Sequence, residues 1–278
     1  MQIYEKSFRK LYAIEEKQID DTTFYAKVKL SPYQRGQGIT VANTLRRILL
    51  SELDCIGIHS VQIEGVSHEF TVKAGIRESI PEILSNLSRV VFRCVPCTST
   101  QKQSTHKQYE SDVQWRNQRY EKQYDMHIDN YKILTQCNKS NAGSLYAKDI
   151  NLPTDIQCVA PKQPIATLVS AHTDLRLNLL LLRSKGYTQN SPHNNMQLVD
   201  IRSPSSAQTQ LKDAPFLPID TSFNPVKKIN YSIHQEWYNT TAQESIFLEI
   251  WTDGSSYPVE SLAKASLILR QLFQPFTL

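Results

Sequence analysis

The chain has 278 residues, 40% hydrophobic and 21% charged, which is enough apolar material for a buried core in one or two domains. Its net charge of +4 is modest for a dedicated nucleic-acid binder, which clusters basic residues more heavily. No apolar run approaches the roughly 18 residues that a membrane helix needs; the longest, Leu175 to Leu182, is strand length. Glu5, Glu15, Glu16, Asp20 and Asp21 make the start acidic where a transit peptide is acid-poor. The expectation is a soluble protein that stays where it is made or is encoded in the compartment it serves. Cysteines number five, an odd count in a normal apolar background, which argues for reduced thiols over a disulfide framework.

In chain order, Phe24, Ala26, Val28 and Leu30 alternate with Tyr25, Lys27 and Lys29, the period of a half-buried strand. A Gly-x-Gly turn at Gly36 and Gly38 follows. Behind Thr40 as N-cap, Val41, Leu45, Ile48 and Leu49 then form the stripe of a short amphipathic helix over 41–51. Residues 58–63 and 69–72 are expected to be strands meeting at a turn near Gly65. Ile80, Ile83, Leu84 and Leu87 form a second helical stripe, with Ser79 and Pro81 suited to its first turn.

From 98 to 125 the pattern dissolves into Gln, Lys, Ser, Thr, Arg and Asn, and this stretch reads as a solvated insertion. Order resumes over 128–134 and 156–168, and Leu175, Leu177, Leu179 and Leu181 alternate in a clear strand. A polar run over 188–212 reads as a linker. Strands at 223–233 and 245–251 and a turn at Asp253-Gly254 precede a final helix. Pro258 begins it, and Val259, Leu262, Ala263, Ile268, Leu269, Leu272 and Phe273 give it an apolar face. The class is α+β.

Candidate sites are few. Gly36 and Gly38 lack the Gly-Lys-Ser/Thr of a phosphate loop and the third glycine of a dinucleotide fingerprint, so they read as a structural turn. Cys94-Val-Pro-Cys97 has zinc-ribbon spacing but no second ligand pair nearby. His68 and Glu69, adjacent in an expected strand, would point to opposite faces and make a poor acid–base pair. No Asp-x-Asp-x-Asp cluster for the two magnesium ions of nucleotidyl transfer occurs. No cofactor is expected. Arg46 and Arg47 stand about 100° apart on a helix, so one covers a flank while the other points outward.

The stretch from Arg35 to Ser51, Arg-Gly-Gln-Gly-Ile-Thr-Val-Ala-Asn-Thr-Leu-Arg-Arg-Ile-Leu-Leu-Ser, resembles the alpha subunits of bacterial and plastid RNA polymerases. There a Gly-x-Gly turn leads into a helix carrying Asn, paired Arg and a Leu pair. Further blocks are similar in the same order: Ile63 to Phe70, Gly75 to Leu87, Lys185-Gly186-Tyr187, Pro218 to Tyr231, and Thr252 through Leu272. The resemblance implies a discontinuous dimerisation domain, residues 1–55 plus 213–278, and an inserted strand-rich domain over 56–187 that carries the 98–125 insertion.

The resemblance also implies a homodimeric, non-catalytic scaffold for the beta and beta-prime catalytic subunits, with DNA reached only through the assembled enzyme. Arg47, with Arg46 and Leu50 beside it, would hold the large subunit. Val41, Leu45, Ile48, Leu49, Leu262, Leu269 and Phe273 would face the second copy. The family's usual C-terminal DNA-binding module is not expected after Leu278. A plastid setting is expected, with the bacterial cytoplasm as alternative. A competing reading makes the chain a single-stranded nucleic-acid binder through Lys102, His106, Lys107, Trp115, Arg116, Arg119, Tyr120 and Lys122, diluted by Glu110, Asp112, Glu121 and Asp125.

Overall fold

The computed structural model describes residues 10–95, 132–170, 173–188, 215–238 and 241–276. The 98–125 insertion, with its nucleic-acid-binding candidates, lies outside them, as does the 188–212 linker beyond Thr188. The chain divides into two compact units, one drawn from Met1–Leu53 and Asn224–Leu278, the other from Asp54–Phe223.

Unit 1 is a four-stranded antiparallel sheet with two helices. Its strands are β1 (Lys10–Gln18), β2 (Phe24–Gln34), β12 (Val226–Tyr238) and β13 (Thr241–Thr252), ordered β1-β2-β13-β12. The helices α1 (Gln37–Ser51) and α3 (Pro258–Phe273) pack on one side of the sheet and on each other. Alternation dictates this layering: Ala26, Val28 and Leu30 of β2 stand opposite Ile250, Leu248 and Ile246 of β13, and all six are buried. A slip of one residue would turn this set out to solvent, so the pattern fixes the register. Fully burying a side chain such as Leu248 contributes about 1.5–3 kcal/mol.

Unit 2 holds the β3 (Asp54–Ile63) to β11 (Thr221–Phe223) portion of the chain. Its main sheet runs β10 (Leu217–Pro218), β3, β9 (Asp174–Thr188), β11, with β5 (Lys132–Ser140) also paired to β9. The two-stranded pairs β4 (Phe92–Cys94) with β7 (Ile156–Cys158), and β6 (Gly143–Tyr146) with β8 (Pro164–Leu168), add to it. Leu175, Leu177, Leu179 and Leu181 of β9 share a core with Ile80, Ile83 and Leu87 of α2 (Ile80–Ser88). The first turn of α2 closes as Ser79 N donates to Glu82 Oε2 at 2.8 Å. That contact, together with a hydrogen bond from the Ser79 side chain, holds the Glu82 carboxyl below its ordinary range. Asp54 and Arg183, directed at each other across β3 and β9, form an ion pair.

Several boundaries differ from the sequence reading. Residues 69–72 form no strand; His68 and Glu69 sit exposed in turns, with Thr71 Oγ1 accepting from His68 N at 3.3 Å. The final return to unit 1 comes at 224 and not 213, because β10 pairs with β3 and β11 with β9. Strand β1 was not expected: Leu11, Tyr12 and Ile14 on it stay exposed, so its composition carries no burial period.

Candidate subunit interface

Helix α1 begins a turn earlier than Thr40, and Gly36 is its N-cap at φ +86. That left-handed conformation suits glycine. The next amides find an acceptor far along the chain: Gly36 N and Gly38 N donate to the two carboxylate oxygens of Glu244, at 2.8 and 2.9 Å. A Cβ on Gly38 would stand 2.7 Å from Glu244 Oε2, so the second glycine is required by a close approach. The turn is therefore filled by the chain's own carboxylate, and those amide bonds hold the Glu244 carboxyl below its ordinary range.

Three more polar contacts fasten α1 along its length. Tyr231 Oη donates to Asn43 Oδ1 at 2.8 Å, Arg46 Nη1 donates to the Ile229 carbonyl at 2.5 Å, and Asn224 Nδ2 donates to the Leu50 carbonyl at 2.8 Å. Gly38, Ala42, Leu45, Ile48 and Leu49 face inward. At about 100° per residue, Arg47 lies about 180° from Gly38, directly away from the packed side. It is exposed, and its guanidinium has no hydrogen-bond or ion-pair partner among the described residues. The two arginines thus separate by partner: both are exposed, but Arg46 is tied to the Ile229 carbonyl of β12, while Arg47 is turned outward. Leu50 is half-buried beside them.

The expected dimer-facing set separates too. Leu45, Ile48, Leu49 and Leu262 are buried within the single chain, because the sheet and the other helix already cover them. They are core residues of unit 1 and leave nothing for a second copy to cover. Val41 and Leu269 are half-buried, and Phe273 is exposed. Ile39, Leu272 and Phe276, which the sequence reading left out of its site, are each more than half exposed. Leu269 and Phe273 line a groove on α3 with Ser266, Arg270 and Gln274. Apolar residues lying off a helix's main stripe were the available signal for Ile39.

The opposite side of the unit 1 sheet is satisfied by its own side chains. Lysine ammonium groups lie over rings: Lys17 over Tyr25 at 5.0 Å, Lys29 over Phe247 at 5.5 Å and Lys228 over Trp251 at 4.8 Å. Lys29 pairs with Glu236 at 2.6 Å and Lys27 with Glu249 at 3.7 Å. Burial and the neighbouring Glu249 push the Tyr25 phenol up.

Cys94 is exposed at the end of β4, and Cys97 lies outside the described residues. Burial, aided by Asp149, pushes the Cys137 thiol up to about 12, so it stays protonated and inert. Among the described residues no group of three or more His, Cys, Asp or Glu could hold a metal ion. Nor is any described helix long and apolar enough to cross a membrane.

Comparison with known proteins agrees with this architecture. Residues 31–273 match the RNA polymerase Rpb3/Rpb11 dimerisation domain. DNA-directed RNA polymerase subunit alpha of Synechococcus sp. (strain JA-3-3Ab) is 30% identical over 264 residues, which cover 94% of this chain and 65% of that protein. Those of Gloeobacter violaceus and Mesostigma viride are each 32% identical, covering 94% and 95% of this chain and 68% and 69% of theirs. The chain thus spans about two thirds of its relatives' length. With the dimerisation-domain match extending from within β2 to the last residue of α3, and with identity spread over nearly all its residues, the chain belongs to the family of RNA polymerase alpha subunits.

Proposed function

We propose that this chain is the assembly scaffold of a DNA-directed RNA polymerase, a non-catalytic subunit of a nucleotidyltransferase. Two copies pair through the exposed Ile39, Leu272, Phe273 and Phe276 of unit 1, with the half-buried Leu269 beside them. Each then docks a large catalytic subunit, of beta or beta-prime type, on the outward side of α1. DNA reaches the chain only through the assembled enzyme. Relatives from cyanobacteria and plastids support a plastid setting, with the bacterial cytoplasm as alternative.

The observation that carries the docking role is Arg47: it is exposed and unpartnered among the described residues, on a helix fastened at four points. Its planar fork suits bidentate contact with carboxylates or carbonyls at a desolvated interface. Arg47→Ala keeps the helix, since Ala is the best helix former, and removes only the outward guanidinium. Truncating one partner of such a contact costs about 2–5 kcal/mol, a loss of roughly 30-fold to several-thousand-fold in affinity. The test is capture of purified large subunit by wild-type and Arg47→Ala chains, with size exclusion of each chain alone. Equal capture would remove Arg47 from the interface, and loss of the dimer would move it to the chain–chain contact.

A further inference from the structure

On the helix-facing side of β13 the even-numbered positions from 244 onward are Glu244, Ile246, Leu248, Ile250 and Thr252, and all five are buried. Glu244 is the ionisable member of this row. An unpaired carboxylate among aliphatic side chains would be strongly unfavourable, so its position requires the two amide donors that α1 brings. The bulge beside it explains how they arrive. Glu244 stands opposite Tyr33 and Ile246 opposite Leu30, so β2 spends two residues, Ser31 and Pro32, where β13 spends only Ser245. Such a bulge bends the strand, and here the bend delivers the Arg35-Gly36 turn over Glu244.

The contact works in both directions. Glu244 satisfies two of the amides that every helix start leaves without intrahelical partners, and a side chain at position 38 would have to push its carboxylate off those amides. Ile233 closes the remaining side, 3.3 Å from the same hypothetical Cβ. Among the described residues, this fastening sets two amides of α1 on one charged acceptor, whereas the contacts at Asn43, Arg46 and Leu50 are single bonds to neutral acceptors. It therefore sets both the axial position and the rotation of the helix, from which the direction of Arg47 follows.

We propose that Glu244 is a positioning residue for capture of the large subunit, acting through α1 to aim Arg47; this rests on the Arg47 reading above. The helix is the intermediary, and Glu244 itself touches no partner.

The test is a double-mutant cycle on full-length dimeric chains: wild type, Glu244→Gln, Arg47→Ala, and both together. Glu244→Gln keeps the shape but presents an NH2 group to one of the two amides, exchanging a charge-assisted bond for a donor–donor encounter. Amide hydrogen exchange at Gly36 and Gly38 should accelerate roughly tenfold or more, as befits loss of a hydrogen bond to a charged group. Large-subunit capture should fall by a comparable factor in the wild-type background and scarcely at all in the Arg47→Ala background.

A size exchange adds an independent arm. Gly38→Ala should impair capture, and Gly38→Ala combined with Glu244→Asp should recover part of it, because the shorter side chain withdraws the oxygen that the new methyl meets. Equal losses from Glu244→Gln in both backgrounds would overturn the proposal, as would accelerated exchange with unchanged capture; either would leave Glu244 a purely structural fastening. An Arg47→Ala chain that captures like wild type removes the contact itself, and the proposal with it.

Discussion

Replacing Phe273 and Phe276 by alanine, singly and together, tests whether the exposed apolar residues at the end of α3 and in the turn just beyond it are where two copies meet. Phe273 is 58% exposed and Phe276 80% exposed in the single chain, so most of each ring's burial is still available to a partner. Full burial of such a side chain is worth about 1.5–3 kcal/mol, and scaling by the exposed fraction leaves about 1–2 kcal/mol for either ring. In a two-fold dimer each residue occurs twice, so either substitution removes about 2–4 kcal/mol of association free energy, given the coefficient above. That raises the dissociation constant roughly 30-fold to several-hundred-fold.

Sedimentation over a concentration series measures the shift. Thermal unfolding of the dissociated chains should barely change, because neither ring belongs to the core of the single chain. Leu45→Glu is the contrasting variant: it places a carboxylate inside unit 1 at a cost of several kcal/mol, and should cost folding before it costs association. A wild-type chain that is a folded monomer at micromolar concentration refutes the assignment, as does an unchanged dissociation constant for the doubly substituted chain.

Two pH responses follow from buried titratable groups. Burial first, and then Lys132, lower the His59 pKa from its ordinary 6.5, so the unfolded chain takes up a proton before the folded one does. Stability is therefore full above about 6.5 and lost as pH falls through the folded value. Denaturant midpoints of wild type and His59→Gln should converge or cross on acidification, and a gap independent of pH would exclude His59 as the source. Asp253 is the reverse case. Burial raises its pKa above 3.8 against the opposing Ser255 bonds and Lys227, so its contribution is present at low pH and lost as pH rises through the folded value. Both Ser255 donors reach the same oxygen, Oδ1, which Asp253→Asn retains. That variant should be the more stable at neutral pH, with the advantage shrinking toward pH 4, and a variant less stable at pH 7 would contradict the reasoning.

Much of the fold was legible because burial leaves a period. The alternation of β2 and β9 and the stripes of α2 and α3 place those elements within a few residues of where they stand. The interface was less legible for the same reason. A helical stripe announces that a face is covered but not by what, and Leu45, Ile48, Leu49 and Leu262 turned out to be covered by their own chain. Ile39 and Phe276 lie off those stripes, where an apolar residue looks incidental. Glu244 carried no local signal at all: it sits in the polar run Gln243-Glu244-Ser245, and its partner amide at Gly36 is 208 residues distant. Strand β1 went unseen because pairing with β2 needs only backbone.

The interleaving of β2 between β1 and β13 has a consequence for the order in which the molecule can be made. A ribosome releases Phe24 long before Thr252, its eventual neighbour across the sheet. At about 5–20 residues per second, roughly 10–40 seconds pass between emergence of Gly36 and of Glu244. During that interval β2 and α1 lack half their sheet, whereas most of unit 2 has already been synthesised and can close on itself. The last described helix, α3, carries the surface that would meet a second copy. If two copies meet there, as proposed, a chain truncated before α3 lacks that surface and should not compete for a partner.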